Sequence, residues 1–311
     1  MSTKILVTGG AGFIGQNLCK KLLEDPTCEV VVLDDFSTGK KSAVPKGVEI
    51  IEQDVRDSFE TFECDQIYHL ACPASPLAYQ KRPIKTVETA FVGTKRALEC
   101  AEANNATLLI ASTSEVYGEP IAHPQSEQDY AHFNPVGPRS CYDAGKAAAE
   151  SLAVSFANVL NIDVRIARIF NTYGPGMDLF DGRVVSNFIR QALNNEPLTI
   201  YGDGYQTRSF CYVDDLVQGL YAFMNRTERG TPHTPINLGN PDEISVLDVA
   251  TLVLGLIPTS TSKIQMIDLP VDDPSRRCPN ITLAKQLIAW NPRTNLRSGL
   301  EKTIRYWRNQ P

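Results

Sequence analysis

The sequence predicts an α/β fold, a doubly wound parallel sheet with a smaller C-terminal lobe appended, and three observations carry that expectation. Short apolar runs rich in Val, Ile and Leu recur at 5–8, 30–33, 48–52, 66–70, 108–111, 164–169 and 236–238. They are continuously apolar, as strands covered on both faces should be. Helix-like stretches at 16–23, 84–103, 143–158 and 213–224 separate most of them, and strands alternating with helices imply a parallel sheet. The first run leads straight into Gly9-Gly10-Ala11-Gly12-Phe13-Ile14-Gly15 and then a helical pattern, the order of a Rossmann-type nucleotide unit. After Asn171 the pattern changes, with Gly, Pro and aromatics dominating through Phe210. The expected division is therefore 1–170 with 212–239 for the cofactor domain, and 171–211 with 240–311 for the lobe.

A chain of 311 residues, 42% hydrophobic and 21% charged, suits one large globular unit with an appended one. The net charge of -6 and pI near 5.4 argue against nucleic-acid or membrane-surface partners. No apolar run approaches the ~20 residues of a membrane span, so a secretory signal is not expected. The eight cysteines lack CxxC spacing, which suggests free thiols and a cytoplasmic location. The four histidines are scattered without a Cys/His cluster, and no metal is expected.

Glycines between a strand and a helix permit a tight turn, close approach of backbone N–H groups to a pyrophosphate, and close packing of the two elements. Gly9, Gly12, Phe13, Ile14 and Gly15 are therefore assigned to a dinucleotide. Asp34 ends the next strand; its carboxylate suits ribose hydroxyls and repels a 2′-phosphate, which favours NAD over NADP. Asp35, Ser37, Thr38 and Gly39 follow it and share the assignment. Asp54-Val55 and Leu70-Ala71-Cys72 end later strands on the same sheet edge, although plain strand-end packing is the alternative for each.

The catalytic signal lies in Ser112-Thr113-Ser114-Glu115-Val116-Tyr117-Gly118 followed by Tyr142 and Lys146. Tyrosine and lysine four apart share one helical face. A free phenol has a pKa near ~10, so base function at neutral pH needs a downward shift. The Lys146 ammonium and a cationic nicotinamide would provide it. Thr113 adds a hydroxyl that aligns a reacting oxygen, and Glu115 adds a further acid–base group.

Longer strings sharpen this reading. His69-Leu-Ala-Cys-Pro-Ala-Ser-Pro76, residues 112–118, Gly137-Pro-Arg-Ser-Cys-Tyr-Asp143 and Arg165-Ile-Ala-Arg-Ile-Phe-Asn-Thr-Tyr-Gly-Pro175 are among them. So are Asp181-Gly-Arg-Val-Val-Ser-Asn-Phe188, Tyr201-Gly-Asp-Gly-Tyr-Gln-Thr-Arg208 and Asp272-Asp-Pro-Ser-Arg-Arg277. Over essentially its whole length the chain resembles the UDP-glucuronate decarboxylase (UDP-xylose synthase) family of the extended short-chain dehydrogenase/reductases. The resemblance implies oxidation of the substrate at C4 with NAD, loss of CO2 from the resulting 4-keto acid, and re-reduction at C4. It places Glu115 and Arg277 around the sugar carboxylate and C5, with the roles of Arg276 and Arg277 unassigned between them. Ser114, Asn171, Arg183, Tyr201, Gln206, Arg208 and Arg276 are implied on the substrate side, and Thr89 and Thr172 on the cofactor side. The plainer alternatives are a surface salt bridge for Arg277, an ion pair with Asp203, Asp214 or Asp215 for Arg208, and a core position for Tyr201.

Related enzymes commonly carry Asn at the positions of Ala90 and Arg96, a departure in this chain. Rival readings are a nucleotide-sugar 4,6-dehydratase, a C4-epimerase, and a silent NAD-sensing protein. The dehydratase needs an acid where this chain has Ser114, and the sensor would be expected to lose Thr113, Tyr142 or Lys146. Members of the superfamily are usually homodimers, paired through helices equivalent to 84–103 and 143–158.

Overall fold

The computed structural model describes residues 2–227, 234–268 and 275–310. The Asp272, Asp273 and Pro274 part of the last string, and 228–233 of the expected cofactor domain, lie outside them. Strands β1 (Thr3–Thr8), β2 (Cys28–Asp34), β3 (Glu49–Glu52), β4 (Gln66–His69), β5 (Thr107–Thr113) and β6 (Val164–Ile169) are joined in one sheet. Helices α1 (Phe13–Leu22), α2 (Pro76–Lys81), α3 (Pro83–Glu88), α4 (Thr94–Asn104) and α5 (Ser140–Leu160) lie between them in sequence. Then come β7 (Thr172–Tyr173), α6 (Val184–Leu193), β8 (Leu198–Tyr201), β9 (Thr207–Ser209), β10 (Cys211–Tyr212), α7 (Val213–Met224) and β11 (Ile236–Leu238). The chain finishes with β12 (Glu243–Ser245), α8 (Val246–Leu256), β13 (Ile264–Ile267), β14 (Arg276–Arg277), α9 (Thr282–Ile288) and α10 (Leu296–Arg308).

The main sheet has seven strands in the order β11-β6-β5-β4-β1-β2-β3, and every pairing is parallel. Along β1, Ile5 and Val7 pack with Leu18, Leu22 and Leu220 on one face. Leu6 packs with Leu98, Ala101 and Ala153 on the other. Alternate residues thus enter two cores, which is why the strands read as unbroken apolar runs. Each fully buried Leu or Ile contributes on the order of 1.5–3 kcal/mol.

The strand order reverses between β1 and β4, and the chain leaves each strand at the same carboxyl edge. Such a switch point opens a crevice for a ligand. A separate core of Phe188, Ile200, Val249 and Leu300 underlies the smaller sheets. In one of these, β9 lies between β12 and β14.

The expected single helix over 84–103 is interrupted. Thr89–Gly93 forms one π turn between α3 and α4, and the Thr94 hydroxyl donates to the Ala90 carbonyl at 2.6 Å. A side-chain hydroxyl competing for a backbone carbonyl is one cause of such irregularity. Strand β5 also runs two residues further than expected, so Thr113 sits at its tip.

Candidate active site

A cleft of about 1020 Å³ runs from the glycine loop at the sheet edge to the small sheet carrying Arg208 and Arg277. At its floor, Gly9 has φ +72°, and a Cβ there would come within 2.7 Å of the Ala71 backbone nitrogen. A Cβ on Gly15 would lie 2.3 Å from the Gly9 carbonyl oxygen. Both glycines are thus required by close backbone approach. Gly12 caps α1 without any side-chain hydrogen bond, leaving the first N–H groups of that helix for an anion. These features fit NAD: a bare backbone cradle for pyrophosphate with a carboxylate at the next strand.

That carboxylate, Asp34, accepts from the backbone N–H of Ala11 at 2.9 Å and of Phe36 at 2.8 Å. Burial pushes its pKa up despite those bonds. Asp35 receives the Lys85 ammonium at 2.5 Å, and Asp54 is held well below the ordinary range chiefly by Arg56. Phe13, Ile14, Thr38, Gly39, Leu70, Cys72 and Thr172 line the cleft with the three fingerprint glycines. Asp34, Asp35, Ser37, Asp54, Val55 and Ala71 are not among its lining side chains. Thr89 also lies away from it, 5% exposed with its hydroxyl unpartnered. The Thr89 hydroxyl is thus a buried donor with no protein partner among the described residues, set in the π turn Thr89–Gly93.

The reacting groups converge where β5 ends. Thr113 starts a short 3-10 turn, Ser114–Tyr117, and its hydroxyl accepts from the Glu115 N–H at 3.2 Å. Tyr142 and Lys146 project from the first two turns of α5 and are both buried. The Lys146 ammonium donates to the Ala111 carbonyl at 2.8 Å. Burial pushes the Tyr142 phenol above its ordinary value, and a hydrogen bond to Thr113 works in the opposite direction. The expected downward shift is therefore absent without a cationic cofactor ring, since the desolvation cost outweighs the neighbouring positive charge. His69 lies beneath, its pKa pushed down to about 3 by burial and then by Lys146, with Nδ1 2.8 Å from the Thr8 hydroxyl.

Glu115 is surrounded by arginines. Its Oε2 accepts from Arg139 and, at 3.4 Å, from Arg277. Burial alone would raise its pKa, but Arg277, Arg139 and Arg208 outweigh that and hold it low. Arg277 is 1% exposed, so it is no surface salt bridge, and it also donates to the Gly118 carbonyl at 3.0 Å. The parallel register sets Arg277 directly opposite Arg208. Like charges facing across strands cost stability, a cost that an anion between them offsets. Arg276, one residue earlier, points away and is exposed, which separates the two neighbours.

On the substrate side Ser114, Asn171, Arg183, Tyr201, Gln206 and Arg208 line the same cleft. Arg183 donates to the Ala74 carbonyl at 2.9 Å, and Gln206 to the Tyr201 carbonyl at 2.7 Å. Tyr201 is 40% exposed, which excludes the core position. Two residues escaped sequence reasoning. Arg139 lies one helical turn before Tyr142, a spacing that was available as a signal. Tyr79 stacks on Tyr142 with centroids 5.2 Å apart and planes at 4°, but nothing local in the sequence marks it. Of the departures, Ala90 is fully buried beside Gly145, where a larger side chain would crowd α5. Arg96 donates to the Arg56 carbonyl at 3.4 Å.

Residues 5–239 match the model of the NAD dependent epimerase/dehydratase family. A UDP-glucuronic acid decarboxylase 1 of Xenopus tropicalis is 49% identical over 99% of this chain and 72% of its own length. UDP-glucuronic acid decarboxylase 5 of Arabidopsis thaliana is 48% identical over 96% of this chain and 87% of its own. Among solved structures, a UDP-glucuronic acid 4-epimerase from Bacillus cereus, in complex with UDP-glucuronic acid and NAD, superposes with a TM-score of 0.86. It is 27% identical, covering 98% of this chain and 99% of that one. With the glycine cradle, the buried Tyr142 and Lys146 and near half-identity along the whole chain, this protein belongs to the NAD dependent epimerase/dehydratase family, on the branch of the UDP-glucuronic acid decarboxylases.

Proposed function

We propose that the chain converts UDP-glucuronate to UDP-xylose, with NAD retained as cofactor. The observation that carries this reading is the half-buried Glu115 carboxylate among Arg277, Arg139 and Arg208, beside Tyr142 and Thr113. Tyr142 takes the proton of the C4 hydroxyl while Thr113 holds the oxygen in line. NAD, when bound, supplies the hydride acceptor at C4 and the donor that later restores it. The ketone at C4 is β to the carboxylate on C5, so the bond to that carboxylate breaks and CO2 leaves. Its electron pair is delocalised onto O4, where hydrogen bonds from Tyr142 and Thr113 hold the developing charge. Arg277 and Arg139 orient the carboxylate before it departs. Glu115 is held ionised, so it serves by positioning the water that protonates C5. Lys146 keeps positive charge near the phenol, and Arg183, Gln206, Arg208 and Tyr201 grip the nucleotide.

The finer assignments are proposals too. The division at 170/171, 211/212 and 239/240 is supported by the separate core under the smaller sheets. A homodimer through α3, α4 and α5 is supported by Ile84, Val87 and Phe91, which are 73%, 39% and 40% exposed. Eight unpaired cysteines suit the reducing cytoplasm. No helix among the described residues is long and apolar enough to cross a membrane.

Mass spectrometry of the products from UDP-glucuronate, with and without added NAD, tests the reaction. The expected product is a UDP-pentose at the mass of UDP-xylose, and a 4-keto pentose would mean that the last reduction fails. An isomer of unchanged mass would indicate C4 epimerisation instead. Substrate returned untouched by protein carrying NAD would overturn the assignment.

A further inference from the structure

His123, Glu243 and Cys278 come from segments far apart in sequence, yet their ligand atoms lie within 4.8 Å of one another. His123 Nε2 is 2.9 Å from Glu243 Oε2. The Cys278 thiol donates to the Pro241 carbonyl at 3.3 Å. Imidazole and carboxylate are about one-quarter exposed, at 25% and 26%, whereas Cys278 is 3% exposed. A soft sulfur thus sits at the closed end and two harder ligands at the mouth, leaving an entry path from solvent. Scattered histidines hid this grouping in the sequence.

We propose that His123, Glu243 and Cys278 form a zinc site, with water at the fourth position. One nitrogen, one oxygen and one sulfur are the ligand types zinc takes in tetrahedral sites. Zn–N near ~2.0 Å and Zn–S near ~2.3 Å put neighbouring ligand atoms about 3.3–3.7 Å apart. Reaching those spacings needs about 1 Å or less of adjustment per pair: the His123 and Glu243 ligand atoms move slightly apart from 2.9 Å, and both approach the Cys278 sulfur. Thiolate and carboxylate together balance the charge of the ion. Binding exchanges the thiol proton for the metal and releases that proton to solvent.

The three side chains already have partners that hold them in place. The Cys278 N–H donates to Gln125 Oε1 at 2.8 Å, and the Gln125 N–H donates to the Cys278 carbonyl at 2.9 Å. Thr207 donates to the other oxygen of Glu243. Such outer partners orient ligands and set affinity. The site would tie β12, the segment following Gly118 and the end of β14, the strand whose last residue is Arg277. Zinc would act as a structural tether on that arginine, away from the reacting atoms.

The test uses metal-stripped full-length protein titrated with Co2+ and then Zn2+. A thiolate-to-cobalt charge-transfer band should saturate at one ion per chain and be displaced by zinc. It should vanish in Cys278→Ser, and His123→Asn should weaken cobalt binding about tenfold or more. The exposed His123 keeps the test valid should Cys278→Ser fold poorly. Saturating cobalt without a thiolate band would overturn the proposal. So would a band unchanged in both His123→Asn and Glu243→Gln, which would assign the metal to another thiol.

Discussion

Tyr142 lies in a buried pocket that raises its pKa, and what the site requires is positive charge placed beside it. Tyr142→Phe keeps the ring, and with it the stack on Tyr79, while removing only the acid–base oxygen. Turnover of UDP-glucuronate should fall by about 10²–10⁴-fold, with NAD binding by calorimetry unchanged. An equal loss of both would mean the residue is structural. The tyrosine, the lysine and Thr113 were legible because each belongs to a spaced pattern. Choosing between Arg276 and Arg277 was not, since adjacent residues on a strand point to opposite faces and nothing in the chain says which face is the inner one. Only the pairing of Arg277 with Arg208 decides it. Tyr79 was invisible for a related reason: its role depends on a ring 63 positions away in sequence meeting it face to face.

At the scale of elements, the turn between β1 and α1 has no room for side chains. Gly15→Ala would set a methyl 2.3 Å from a backbone oxygen and 2.6 Å from the Gly10 Cα, atoms that cannot rotate away. A cost of about 1–3 kcal/mol is expected, seen as a lower Tm together with loss of NAD binding. If binding survives at full strength, the loop is not the pyrophosphate cradle. This element was legible because backbone geometry there permits little besides glycine. The long helix over 84–103 was legible as helix but not as an interrupted one, since nothing in its apolar spacing marks the π turn at Thr89–Gly93.

Across the whole molecule, several carboxyls are held below their ordinary values by basic partners. Asp54 is held by Arg56, while for Asp35 and Glu115 burial is outweighed by Lys85 and by the arginines respectively. A carboxyl with a depressed folded pKa stabilises the native state above its unfolded value, 3.8 for Asp and 4.5 for Glu. That contribution is lost as pH falls through the folded value. Asp34, Glu127 and Asp214 are shifted upward, chiefly by burial, and oppose the effect. Melting scans should therefore show Tm falling steeply below about pH 4, and Lys85→Met should move that limb to higher pH. A Tm independent of acid would contradict these pairings. The sheet itself was legible from strand composition, whereas the small sheets were not, because β7, β10 and β14 are two residues long and carry no periodicity.

The order of elements also dictates the order in which function is assembled at the ribosome. All seven strands of the main sheet, and with them the glycine cradle, lie before Gly239, whereas Arg277 comes later. At ~5–20 residues per second, the nascent chain spends seconds with a nucleotide site that has no completed arginine clamp. Through that interval Glu115 lacks one of its counter-charges, and burying it then would cost several kcal/mol. Glu115 therefore gains its full set of counter-charges only once β14 has been made, after the nucleotide cradle.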